Sequence, residues 1–108
     1  MTSQQLEQLL PEVVRRLCEA LHPMTVYLHG SSAAGAMGPD SDVDLLVVVP
    51  ESDSTFFQRG ALAYRALRGL GAAFDVQVYT REEFDARAEL PVSFERTVRT
   101  KGRVLYAA

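Results

Sequence analysis

A chain of 108 residues, 47% of them hydrophobic and 23% charged, reads as one folded domain spanning 1–108, and this composition excludes disorder, collagen and coiled coil. Eleven basic against fourteen acidic residues leave a net charge of -3, which argues against general affinity for nucleic-acid backbones. The lone Cys18 cannot form an internal disulfide, LLVVV at 45–49 is too short to span a bilayer, and MTSQQLEQLL has no signal-peptide character, so a cytoplasmic protein with no membrane partner is expected.

Apolar residues at Leu6, Leu10, Val13, Leu17 and Leu21 fit one face of a helix, which Thr2 with Gln5, or Ser3 alone, can cap. Pro11 lacks a donor and disfavours helical geometry at Leu10, so the regular helix is expected only from Pro11 to about Leu21. The Arg15–Arg16 pair reads as its solvated face, and Cys18 as part of its apolar one.

MTVYLH at 24–29 reads as a short buried strand, with His29 at its end serving packing. GSSAAGAMGPDS follows as a tight loop with room for one helical turn. DVDLLVVV at 42–49 is a strand, apolar on both faces after its first turn. Asp53 or Ser54 is expected to cap a helix ending near Gly71, with Phe56, Gly60, Ala63, Leu67 and Leu70 on one side. AFDVQVYT at 73–80 is a strand, Thr80 and Glu83 make a capping box for a helix through Ala88, SFERTVRTKG suggests another helix, and RVLY at 103–106 an edge strand. The alternation predicts an α/β fold in which helices cover a small mixed sheet.

Asp42 and Asp44 are two residues apart at a strand start, so strand periodicity puts both carboxylates on one face. Two like charges there resist burial unless a cation lies between them, and hard oxygen donors suit Mg2+. The strand at 42–49, the helix at 54–70 and the strand at 74–79 form a right-handed βαβ unit with parallel strands, which starts Asp75 at the same end as Asp42 and Asp44. Three carboxylates so placed can hold two divalent ions about 3.5 to 4 Å apart. Gly30 lets the backbone approach a ligand closely, and Ser31 offers a hydroxyl and a backbone N–H to a phosphate. A calcium-loop reading of Asp40, Asp42, Asp44 and Glu51 fails because Leu45 stands where that loop needs glycine.

HGSSAAGAMGPDSDVDLLVVV resembles the signature of the minimal nucleotidyltransferases of the DNA polymerase beta superfamily: a Gly-Ser pair, ten residues, then Asp-x-Asp in a hydrophobic strand. FDVQVYTREEF resembles the later segment of that family carrying its third acidic residue, here Asp75, and KGRVLY its usual C-terminal end. The resemblance implies a polymerase beta-like fold and a Mg2+-dependent enzyme that moves a nucleoside monophosphate, AMP first, from ATP or another NTP to a hydroxyl. It implies that Asp42, Asp44 and Asp75 are catalytic and hold two Mg2+ ions, while Gly30, Ser31 and Ser32 hold the nucleotide.

Small members of this family pair with a helical HEPN protein as the antitoxin of a toxin–antitoxin module, so a HEPN-type partner is implied. Larger relatives that modify small molecules carry an additional domain for the acceptor, and here the expected acceptor is a partner protein. The alternative is a catalytically weak nucleotide- or partner-binding module that neutralises a HEPN protein by association. One departure bears on this choice: relatives carry an SRARG-like loop, whereas this chain has SSAAG, which puts Ser32 and Ala34 where cations belong. Arg96, Arg99, Lys101 or Arg103 could compensate for them.

Overall fold

The computed structural model describes residues 1–35 and 42–108. The chain runs through α1 (Ser3–Leu21), β1 (Thr25–His29), α2 (Gly30–Ala33), β2 (Val43–Val49), α3 (Phe56–Ala66), β3 (Phe74–Thr80), α4 (Arg81–Ala88), α5 (Phe94–Lys101) and β4 (Arg103–Ala107). The sheet order is β3-β2-β1-β4. β2 and β3 are parallel, as the helical crossover between them requires, while β1 is antiparallel to both β2 and β4. This is the mixed α/β sheet expected, with β4 on one edge.

The two faces of the sheet are covered by different helices. Leu6, Leu10, Val13 and Leu17 of α1 and Ala63 of α3 pack with Val26, Leu28, Val43, Leu45, Val47, Val49 and Val78. On the other face Phe84 of α4 and Val98 of α5 pack with Tyr27, Leu46, Val48 and Tyr79. Every second residue of β2 therefore enters a different core, as a strand period of 2 dictates.

Two expectations need correction. α1 does not begin at Pro11: it starts at Ser3 behind a complete Thr2–Gln5 capping box and passes through Pro11. An interior proline costs about 3 kcal/mol, but burying Leu6 and Leu10 N-terminal to it, at about 1.5–3 kcal/mol per side chain, outweighs that cost. α3 is capped by neither Asp53 nor Ser54 but by Thr55, whose side chain accepts from the Gln58 N–H while the Gln58 side chain returns to the Thr55 N–H. It ends early, at Ala66, ahead of Gly69 and Gly71, both at positive φ.

The buried face of α3 also differs from the expected one. Phe56 is exposed, and Arg59, one helical turn on, is buried. Its guanidinium reaches Val78 O at 3.2 Å, Ser54 O at 2.7 Å and Glu83 Oε1 at 2.5 Å, which offsets the cost of burying the charge. Arg59 thereby ties the entry to α3 to the junction of β3 and α4. Arg15 is solvated as expected and pairs with Glu12 and Glu19, but Arg16 donates to Arg68 O at 2.8 Å and joins α1 to the end of α3. Cys18 is half-buried. No described helix is long and apolar enough to cross a membrane.

Candidate functional site

The site lies where β1 ends and β2 and β3 begin. β1 delivers His29 directly opposite Asp44 of β2, and β3 delivers Asp75 directly opposite Asp44 on the other side. Neighbouring strands are about 4.8 Å apart, so the two carboxylates are close across a parallel pair. All three side chains share the strand parity of Tyr27, Leu46 and Tyr79, which places them on the α4–α5 side of the sheet. Asp42 stands just before β2 rather than within it and is exposed, whereas Asp44 is half-buried.

Gly30 explains how the first strand meets the second. It sits at φ +70, and a Cβ there would collide with the Asp44 carboxylate, with Cγ only 3.2 Å away. Glycine at this position thus does more than accept a left-handed backbone: it lets α2 press directly on Asp44. The sequence points to a close approach at Gly30, and the group approached in the structure is this carboxylate.

Burial pushes the Asp44 carboxyl above its usual range; Asp75 and Asp42 add to the rise and His29 opposes it. Burial likewise lowers the His29 imidazole, against the pull of Asp44 and Asp75. The carboxylates therefore feel one another, and a divalent cation would relieve that repulsion. Among the described residues no three His, Cys, Asp or Glu side chains are gathered tightly enough to hold a metal ion by themselves. Mg2+ keeps several waters and binds through one or two carboxylates together with substrate phosphates. The Asp44–Asp75 pair, pressed by Gly30, fits such an ion, with Asp42 two residues before Asp44 in the chain.

Of the residues expected to hold the nucleotide, Ser31 is half-buried in the single turn of α2. Ser32 is buried, and its hydroxyl donates to His29 O at 3.1 Å, so it ties α2 back to β1. Ala34 is exposed at the end of that turn. Asp40 lies outside the described residues, with the remainder of 36–41.

A groove of about 330 Å³ adjoins this site, lined on one side by His29, Gly30, Ala33 and Ala34 and on the other by α5. α5 contributes Phe94, Thr97, Val98 and Lys101, the i, i+3, i+4, i+7 stripe of one helix face. The Phe94 ring meets His29 edge-on at 5.2 Å, which gives that histidine the packing role expected of it. This second wall is what sequence reasoning missed; the stripe was visible in SFERTVRTKG, but its position beside β1 is a product of tertiary packing.

A search of curated proteins finds no match. Among solved structures, a Sulfolobus solfataricus protein assigned as a nucleotidyltransferase is 28% identical, with 76% of this chain and 75% of that one covered and a TM-score of 0.56. A toxin–antitoxin complex with AMP-PNP shares the fold at 17% identity and TM-score 0.59, covering 92% of this chain and 73% of that one. A mutant of the toxin–antitoxin pair MntA–HpeT does so at 15% identity and TM-score 0.57, with the same shares covered. The model of the nucleotidyltransferase domain matches residues 10–104, nearly the whole of the fold described above, and the chain belongs to that family.

Proposed function

We propose that this protein transfers a nucleoside monophosphate, AMP first, from a Mg2+-bound nucleoside triphosphate to a hydroxyl of a partner protein, and that it serves as the antitoxin of a HEPN-type toxin–antitoxin pair. The observation carrying the chemistry is the pairing of Asp44 with Asp75 in parallel register, with Gly30 packed against the Asp44 carboxylate. The partner rests on the structural likeness to toxin–antitoxin complexes, one of them with AMP-PNP.

In this reading Asp42, Asp44 and Asp75 hold the metal, which when bound offsets the charge of the triphosphate and makes the acceptor hydroxyl more acidic. Asp44 is held in place by Gly30 and kept partly out of water, which strengthens its attraction for a cation. Asp75, exposed on the outermost parallel strand, is open to an approaching acceptor and can take up its proton. Gly30, Ser31 and Ser32 form the turn that meets the triphosphate; Ser32 keeps the turn on β1 and leaves backbone N–H groups for the phosphates.

One observation favours association without turnover as a second reading: the exposed loop position that relatives fill with a cation is Ala34. Incubating the purified chain with radiolabelled ATP, Mg2+ and a HEPN protein encoded beside it separates the two. Label on the partner supports transfer; a stable complex without label, and without ATP dependence, supports association.

A further inference from the structure

The SSAAG loop poses a question of charge that the groove beside it resolves. Of the four cations near the C-terminal end, Arg96, Arg99, Lys101 and Arg103, three are engaged or placed elsewhere. Arg103 pairs with Glu7 of α1 and lines a cleft between α1 and β4. Arg99 donates to Ala88 O at 3.3 Å at the end of α4. Arg96 is exposed and contributes to none of the groove's walls. Lys101 alone of the four lines the groove, facing Gly30, Ala33 and Ala34.

Its position is built into the backbone. Gly102, the residue that follows, caps α5 through its N–H to Val98 O at 2.7 Å. A Cβ at Gly102 would stand 2.5 Å from Val98 O, so glycine lets the chain close this cap, and the same position lies at ordinary contact distance, 3.4 Å, from Leu28 O of β1, one residue before His29 and the Gly30 turn. Val98, buried with Tyr27 of β1, holds the last turn of α5 beside that strand. Loop residues on the facing side are alanines, which leave space for a long side chain and for a ligand.

We propose that Lys101 supplies, from the opposite wall of the groove, the positive charge for the β- and γ-phosphates that the SSAAG loop does not carry. This rests on the nucleotidyl-transfer reading and refines it: the groove between α2 and α5 is the triphosphate end of the site, and Thr97 and Phe94 are its outer wall. An ammonium is a compact point charge with three rotatable donors, suited to several phosphate oxygens at once.

The test is calorimetric titration of ATP, AMP and inorganic tripolyphosphate, each with Mg2+, into the wild type, Lys101→Ala, Lys101→Arg, Asp44→Asn and the double variant Lys101→Ala/Ala34→Arg. Lys101→Ala is expected to weaken ATP and tripolyphosphate by about tenfold to a hundredfold, the worth of a charged hydrogen bond, and to leave AMP unchanged. Lys101→Arg should retain most of the affinity, and the double variant should recover part of it by returning the charge to the loop. If ATP binds with dependence on Asp44 but equally to wild type and Lys101→Ala, the assignment of Lys101 is wrong and the transfer reading stands. Equal losses for AMP and ATP would place the nucleoside in the groove and overturn the assignment. If the wild type binds no nucleotide, the transfer reading fails and Lys101's role falls with it.

Discussion

The two faces of one sheet have been put to different uses. Towards α1 and α3 the buried residues are aliphatic apart from Phe74, and Val43, Leu45 and Val47 of β2 are all but inaccessible. Towards α4 and α5 the layer holds Tyr27, Tyr79 and Phe84, a buried Glu95, and at its open end His29, Asp44 and Asp75. Glu95 accepts from the Tyr79 hydroxyl at 2.8 Å and pairs with Arg87 at 3.2 Å. The first face supplies stability by transfer of apolar area; the second surrenders some of it to hold charged groups in place. A single strand serves both because its side chains alternate, so neighbouring residues of β2 belong to a core and to the candidate site.

Substitutions in adjacent residues should separate these roles. Leu45→Ala, on the aliphatic face, is expected to cost about 2–5 kcal/mol in urea unfolding, the largest effect on stability. Gly30→Ala should cost little more than local strain in stability yet lower transfer about a hundredfold, because it displaces the Asp44 carboxylate. Its thermal unfolding and labelled-AMP transfer should be measured on one preparation. Tyr79→Phe takes one donor from buried Glu95, and about 1.5–3 kcal/mol of stability should go with it, without loss of nucleotide binding.

Acid should loosen the polar face first. For Glu83, burial acts to raise the carboxyl, but the Thr80 N–H and Arg59 hold it below its usual value; for Glu95, Tyr79 and Arg87 do the same against burial. A depressed folded-state value means that this stability is fully present above the ordinary 4.5 and is lost as pH falls through the lowered values. The Glu95→Gln variant should therefore show a shallower fall in melting temperature between about pH 5 and pH 3 than the wild type. The smallest effect is expected at exposed Phe57, where Phe57→Ser should change stability by no more than about 0.5 kcal/mol.

Most elements were legible because periodicity and caps are local. Thr80 with Glu83 marks the start of α4 in sequence and in structure, and the apolar run from Val43 marks the buried strand. Asp75 was placed beside Asp44 by the handedness of a single crossover, and the register bears this out residue against residue. Pro11 misled because its local penalty was weighed without the burial of Leu6 and Leu10, a tertiary gain. Arg59 has the same cause: whether an arginine turns inward depends on acceptors from three distant segments. The groove wall formed by α5 was hidden for that reason too, since no local signal tells which strand an amphipathic helix will cover.

The central claim is that the α4–α5 side of β2 is a metal-dependent nucleotide site. Calorimetric titration of ATP into the wild type and Asp44→Asn, with and without Mg2+, and with thermal unfolding recorded in parallel, tests it most directly. The account predicts Mg2+-dependent binding in the wild type and its loss in Asp44→Asn, with a melting temperature equal to or above the wild type's because a partly buried charge has been removed. Wild-type affinity in Asp44→Asn, or ATP binding indifferent to Mg2+, would contradict it.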